Sequence, residues 1–257
     1  MKILITGSTG YIGRSLTKEL EDNEVTAVCR QNFDLCCPFQ TAKFFKNKFF
    51  DVVIHCSIQG GSRLKIDPWK IMDNNLRMYY NLLECRGNFS KLISFGSGAE
   101  LNFQSTPYGL SKYVIRNSML EIKDFYNLRL YAVFDENELS TRFIKSSILN
   151  YLAGDKIHII RNKKMDFFYM KDLISVVKQY IDRNDLPKEI NCNYDQTVML
   201  SDIANMINQL GSHKVPIVVS GTHEDLPYCG EFTNIGINYI GLEKGIKSVF
   251  EKIKDNN

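Results

Sequence analysis

Short apolar runs and helical stripes alternate along the first half of the chain. Ile3-Leu4-Ile5 is a compact apolar run, and Lys2 to Thr6 reads as a strand. Leu16 and Leu20 lie four apart with Lys18 and Glu19 between them, which predicts a helix from about Tyr11 to Leu20. Glu21-Asp22-Asn23 is a polar turn, and Val25 to Val28 reads as the second strand. Thr41 to Lys46, with Phe44 and Phe45, is helical, and Asp51 to Cys56 is a buried strand. A long helix from about Pro68 to Cys85 carries Met72, Leu76, Tyr79, Leu82 and Leu83 at helical spacing. That stripe reads as core or as a subunit contact. Leu92 to Phe95 is the next strand, and Pro107 opens another helix. Strand and helix alternation of this kind calls for a parallel sheet with right-handed crossovers, an α/β architecture wound on both faces.

The second half is less regular. Leu128 to Val133 reads as a further strand of the sheet, followed by the polar run Asp135 to Glu138. A helix is predicted over about Thr141 to Leu152 and a short strand over Ile157 to Ile160. Asn162-Lys163-Lys164 is a turn, and Asp172 to Ile181 is a helix of the main domain. Helices over Ser201 to Leu210 and Gly241 to Lys254 complete a small C-terminal lobe. The expected domains are therefore 1–134 plus about 166–190 for the main body, and about 135–165 plus 191–257 for the lobe.

At 257 residues and 44% hydrophobic composition, the chain can bury a full core. Its net charge of +3 gives no case for nucleic acid but suits an anionic small molecule. No run of about 18 apolar residues is present, so no membrane partner is expected. The seven cysteines are scattered with no C-x-x-C, which points to reduced thiols, no metal, and a cytoplasmic setting without a signal peptide.

Two stretches carry candidate chemistry. Between the first strand and helix lies Thr6-Gly7-Ser8-Thr9-Gly10-Tyr11-Ile12-Gly13, a G-x-x-G-x-x-G turn. Glycines there allow a tight turn and close approach of backbone to a pyrophosphate, which then faces the N–H groups and positive dipole of the helix start. Gly7, Thr9, Gly10, Tyr11, Ile12 and Gly13 are the expected dinucleotide contacts. At the end of the second strand stands Arg30, with no acid, where an arginine accommodates a 2′-phosphate; the expected cofactor is NADP(H). Ser57 and Ser97 also fall at strand ends, where ligands of such sheets bind. The second stretch is Tyr108-Gly109-Leu110-Ser111-Lys112, which puts Tyr108 and Lys112 on one helix face. A lysine beside a phenol lowers its pKa, and a serine hydroxyl can bind the same substrate oxygen. Together Ser97, Tyr108 and Lys112 can exchange a proton with a carbinol oxygen while hydride moves at the neighbouring carbon. His55, inside an apolar strand, receives no catalytic role.

These features resemble the extended short-chain dehydrogenase/reductase superfamily of nucleotide-sugar epimerases, dehydratases and reductases, over essentially the whole length. The glycine loop, Asp34-Leu35, Asn75, Ser97, Tyr108 and Lys112 carry the likeness. So do Asp166 to Leu173, similar to "RDFxYVDDL", the segments Ile190 to Asn193 and Leu200 to Ile203, and Gly241 to Ile246, similar to "GLEEGL". Within the superfamily, Cys29 to Leu35 and the Gly60-Gly61 loop are most similar to the NADPH-using GDP-fucose synthases. The resemblance implies a Rossmann-type fold and further cofactor contacts from Asp34, Leu35, Cys56, Ser57 and Asn75, the last supporting a water-linked proton path. It implies substrate contacts from Ser97, Gly98 and Ala99, and a homodimer.

GDP-fucose synthases epimerise with a cysteine and a histidine; the matching positions here are Ala99 and about Arg142. Neither can exchange a carbon-bound proton in that way. The expected activity is therefore NADPH-dependent reduction of a keto, 4-keto-6-deoxy type, nucleotide-sugar without epimerisation, in surface-polysaccharide sugar biosynthesis. Arg142, Arg161, Lys163 and Lys164 are candidate cations for the substrate phosphates, with Arg142 and Lys163 named as contacts. Ala132 and Met165 replace a usual asparagine and arginine, which loosens the expected substrate. A cofactor-recycling epimerase or dehydratase is the second reading, with Glu100 as its available acid. A non-catalytic NADPH sensor or scaffold is the third.

Overall fold

The computed structural model describes residues 1–62, 64–221 and 226–256. In chain order the elements begin β1 (Lys2–Thr6), α1 (Tyr11–Glu19), β2 (Glu24–Val28), α2 (Pro38–Phe45), β3 (Phe50–His55), α3 (Lys70–Glu84), β4 (Phe89–Ser97), α4 (Ala99–Asn102), α5 (Pro107–Leu120) and β5 (Phe125–Leu130). They continue with β6 (Val133–Phe134), α6 (Phe143–Leu152), β7 (Ile157–Ile159), β8 (Lys164–Met165), β9 (Phe168–Tyr169), α7 (Met170–Asp182), β10 (Glu189–Cys192), β11 (Val198–Met199), α8 (Leu200–Gln209), β12 (Ile217–Val219) and α9 (Leu242–Asp255).

Six strands form one sheet in the order β10-β5-β4-β3-β1-β2. The pairings β1–β2, β1–β3 and β3–β4 are parallel. The strand order reverses between β1 and β3, so the crevice outside their carboxyl ends is the expected place for a ligand. The expected doubly wound α/β sheet is therefore present. Leu4, Val53, Tyr79, Leu82, Leu92 and Met119 are among the buried residues of one core beside it. Lys91, buried in β4, caps this region: its Nζ donates to the carbonyls of Tyr180 at 2.6 Å, Ile181 at 2.9 Å and Arg183 at 2.8 Å. A cation there meets the negative end of α7 and its unmatched carbonyls.

The chain divides into two compact units, residues 1–129 with 177–190, and residues 130–176 with 191–257. This moves the expected boundary. Residues 130–134 and 166–176 fall in the second unit, which has its own core. Ile144, Ile148, Tyr151, Ile203, Ile207, Val249 and Phe250 are buried in that core. Asp172 holds the entry to α9, accepting from the N–H groups of Ile240 at 2.8 Å and Gly241 at 3.1 Å and from the Tyr194 hydroxyl at 2.5 Å.

The expected strand over 128–133 is also corrected. β5 ends at Leu130, and Val133–Phe134 pairs with Phe168–Tyr169 in a separate two-stranded sheet. An unbroken apolar run there hides the break, because periodicity alone cannot separate one strand from two. The sixth sheet strand, β10, alternates too briefly to be read as a strand from sequence.

Candidate active site

The glycine turn leaves β1 and enters α1 at the point where strand order reverses. Gly7 has φ +67°, a left-handed conformation that favours glycine. A Cβ there would lie 2.7 Å from the Ser57 nitrogen. A Cβ on Gly13 would lie 2.3 Å from the Gly7 carbonyl oxygen, so α1 packs onto the turn only because both positions lack side chains. Backbone bonds fix the loop: Ser8 N–H donates to Val28 O at 3.1 Å and Gly10 N–H to Gly7 O at 2.9 Å. No side chain caps α1. Across the strand pair, Thr6 Oγ1 meets His55 Nδ1 at 2.9 Å. Burial, and the nearby Lys112 charge, pull the His55 pKa down to about 3, so the ring is neutral.

These ends enclose a cleft of about 410 Å³ within the first unit. Gly7, Thr9, Gly10, Tyr11, Ile12, Gly13, Arg30, Asp34, Leu35, Cys56 and Ser57 line it. Val28, Cys29, Phe33, Ile58, Gln59 and Met78 also line it; Cys29 and Phe33 lie in the Cys29 to Leu35 stretch, and the others are ordinary apolar or polar residues that no motif singles out. The size suits a small-molecule site. The cradle at Gly7 and Gly13, which a Cβ would fill, and the cationic Arg30 at the far rim fit a phosphorylated dinucleotide. Arg30 is 70% exposed and makes only a 3.5 Å pair with Asp34, which leaves its guanidinium available to a phosphate.

Asn75 is not among the lining residues. Its amide donates to Gln59 O at 3.0 Å and Ser111 Oγ at 3.1 Å, and accepts from Gln59 N–H at 2.9 Å. Ser111 in turn donates to the Tyr108 carbonyl at 2.7 Å. Asn75 thus forms a brace between the Gln59 loop and the start of α5.

That start is sharply defined. Thr106 is the N-cap and accepts from Gly109 N–H at 3.1 Å, with Pro107 in the first turn. Tyr108 follows, and Lys112 is one turn further on the same face. The Lys112 Nζ stands 5.9 Å from the Tyr108 ring centroid. The lysine is buried and donates to the Phe95 carbonyl of β4. Burial pulls its pKa down to about 8, while Glu100 and Cys56 oppose the fall. Gly61, at φ +75°, presses on the phenol: a Cβ there would lie 2.8 Å from Tyr108 Cζ. Its N–H donates to Asp67 at 2.8 Å.

Ser97 is the last residue of β4 and is buried; its Oγ accepts from Ala99 N–H at 3.2 Å. Gly98 and Ala99 lead into α4, a short helix that the sequence pattern missed because four residues carry no periodicity. The first unit thus holds Ser97, Tyr108 and Lys112 on β4 and α5. Arg142 and Lys163 belong to the second unit. Arg142 begins α6 and lies 3.9 Å from Glu138, whose buried carboxyl is raised to about 8 by desolvation. Lys163 Nζ stands 6.0 Å from the Tyr228 ring.

The chain is similar to known proteins over most of its length. The family model for the NAD dependent epimerase/dehydratase family matches residues 3–193. Protein CapI of Staphylococcus aureus is 22% identical over 240 residues, covering 74% of this chain and 72% of that protein. CDP-abequose synthase of Yersinia pseudotuberculosis is 23% identical over 209 residues, covering 69% and 72%. A solved structure of MlghC, a GDP-mannoheptose C4 reductase from Campylobacter jejuni with NADP bound, shares the fold. Its TM-score is 0.80 at 19% identity, over 98% of both chains. The chain belongs to the NAD dependent epimerase/dehydratase family, the extended branch of the short-chain dehydrogenases/reductases.

Proposed function

We propose that this protein is an NADPH-dependent reductase of a keto nucleotide-sugar, of the 4-keto-6-deoxy type, without epimerase activity. The pairing of a buried Lys112 with Tyr108 at the start of α5, in the same unit as the glycine cradle, carries the reading. The NADP bound to the Campylobacter reductase and the exposed Arg30 support NADP(H) as cofactor.

When bound, NADPH supplies the hydride for the carbonyl carbon. The residues of this chain manage the other half of the reduction. Ser97 orients the carbonyl oxygen through its hydroxyl. Tyr108 gives that oxygen its proton. Lys112, positively charged over most of the physiological range, stabilises the tyrosinate left behind and holds the nicotinamide ribose. Gly7, Gly10 and Gly13 bring backbone to the pyrophosphate, and Arg30 takes the 2′-phosphate. Arg142 and Lys163 are the proposed phosphate partners of the sugar nucleotide.

The Glu100 carboxylate, the acid that a dehydratase would need, is wholly buried against Arg129 and Asn127. Ala99 has no exchangeable proton for an epimerase. Turnover in deuterated water tests this part: no deuterium should enter the carbons beside the carbonyl, and its appearance there contradicts the proposal. A homodimer through α3 and α5 is supported by Tyr80 and Tyr113, large apolar rings on those helices that are 41% and 37% exposed. Cysteines that are all thiols suit a cytoplasmic setting, and a product for surface polysaccharide fits such a substrate. No helix among the described residues is long and apolar enough to cross a membrane.

A further inference from the structure

Glu100 is the most deeply buried charge of the first unit that the proposed reaction leaves unused. Its relative exposure is 0%. A carboxylate survives such burial only where partners offset its lost hydration. One oxygen accepts from Arg129 Nε at 2.6 Å and Asn127 Nδ2 at 2.9 Å. The other accepts from the backbone N–H of Ser97 at 3.2 Å. Arg129 continues to Glu189 at 2.8 Å, and Glu189 also takes Arg116 at 2.5 Å. The backbone of β4 is shaped around this group: a Cβ on Gly96 would lie 2.7 Å from Glu100 Oε2 and 2.6 Å from Asn127 Oδ1. The helix that carries Glu100 also packs closely on the catalytic helix, since a Cβ on Gly109 would lie 2.0 Å from the Phe103 carbonyl oxygen.

We propose that Glu100 is a positioning residue: held by Arg129 and Asn127, it fixes through the Ser97 N–H the end of β4, which carries both Ser97 and, two residues earlier, the Phe95 carbonyl that Lys112 binds. This rests on the assignment of Ser97, Tyr108 and Lys112 to the chemistry. The groups facing Lys112 can be named by element. β3 brings the neutral His55 ring, and the residue after it brings the Cys56 thiol, whose pKa burial raises. β4 brings the Phe95 carbonyl, α4 brings Glu100, and α5 itself brings Tyr108. Burial drives the proton off Lys112, and Glu100 works to keep it on. Loss of the carboxylate charge should therefore let the lysine deprotonate at lower pH.

The test needs neither substrate nor cofactor. Lysine labelled with carbon-13 at Cε is titrated by NMR in wild type, Glu100→Gln and Glu100→Asp, with Lys112→Met assigning the signal. The Lys112 titration should fall by about one pH unit in Glu100→Gln. In Glu100→Asp, which keeps the charge at shorter reach, it should stay at the wild-type value while the Ser97 amide resonance moves. Should Glu100→Gln not fold, the paired Glu100→Gln/Arg129→Met variant removes both buried charges together and should still show a downward shift, smaller because the Arg129 charge leaves with the carboxylate. An unchanged Lys112 titration in a folded Glu100→Gln or Glu100→Gln/Arg129→Met variant overturns the proposal, as does failure of both of these variants to fold, which would make Glu100 a folding residue alone. Because the readout is independent of turnover, it fails or succeeds separately from the ketoreductase assignment.

Discussion

The cleft of the first unit and the cationic stretch of the second are built on opposite terms. In the first unit, the cleft and the residues assigned to the chemistry are tightly built. Gly7 and Gly13 admit no side chain, Tyr108 packs against Gly61, Asn75 braces Gln59 against Ser111, and Glu100 is held by Arg129, Asn127 and the Ser97 N–H. Arg142 by contrast is about one-third exposed, with the Glu138 carboxylate 3.9 Å away, and Lys163 Nζ lies 6.0 Å from the Tyr228 ring. Fixed geometry belongs where a hydride and a proton must travel along defined lines. Long, partly exposed cations suit a part of the molecule that holds a substrate. The contrast fits the proposal in which the first unit carries the chemistry and the cations of the second help to select the substrate.

The sharpest way to break this contrast is Tyr108→Phe. It should reduce turnover by about a thousandfold or more while NADPH binding, followed by fluorescence titration, stays near wild type. Retained activity would remove Tyr108 as proton donor. Next in size is Gly13→Ala, whose new Cβ must meet the Gly7 carbonyl oxygen at 2.3 Å. NADPH affinity should fall at least tenfold, about 1.4 kcal/mol, by the same titration. Unchanged affinity would mean the cradle yields. The smallest effect is expected from Arg142→Ala and Lys163→Ala. Each should raise KM for the sugar nucleotide by about threefold or less and leave kcat intact, because exposed charges contribute little singly. A collapse of kcat would show that the second unit is as rigidly tied to the chemistry as the first.

The same contrast explains what the sequence makes legible. The glycine spacing, the strand-end positions of Arg30, Ser57 and Ser97, and the four-residue step from Tyr108 to Lys112 are local signals, and a linear reading carries them. Asn75 and Glu100 are different. Their roles depend on partners 36 positions away at Ser111 and 27 and 29 positions away at Asn127 and Arg129. No local pattern announces a buried carboxylate between a strand and an arginine two elements later. The second unit is harder still. Its strands run for two or three residues, as at Val133–Phe134 and Lys164–Met165, and periodicity has no room to appear. Its boundary is hard to place for the same reason: the unit is assembled from segments 130–176 and 191–257, separated by the return of the chain to the main sheet.

The central claim is that hydride passes from NADPH to a keto nucleotide-sugar with Tyr108 supplying the proton. The most direct measurement is NADPH oxidation at 340 nm against a panel of 4-keto nucleotide-sugars, repeated with NADH and with Tyr108→Phe, with the product identified by NMR. The account predicts that at least one member of the panel is reduced to the corresponding alcohol, with unchanged configuration at the carbons beside it. NADPH should be preferred over NADH, and Tyr108→Phe should be inactive. Oxidation that persists in Tyr108→Phe, or turnover of a sugar nucleotide with no net oxidation of NADPH, would contradict it.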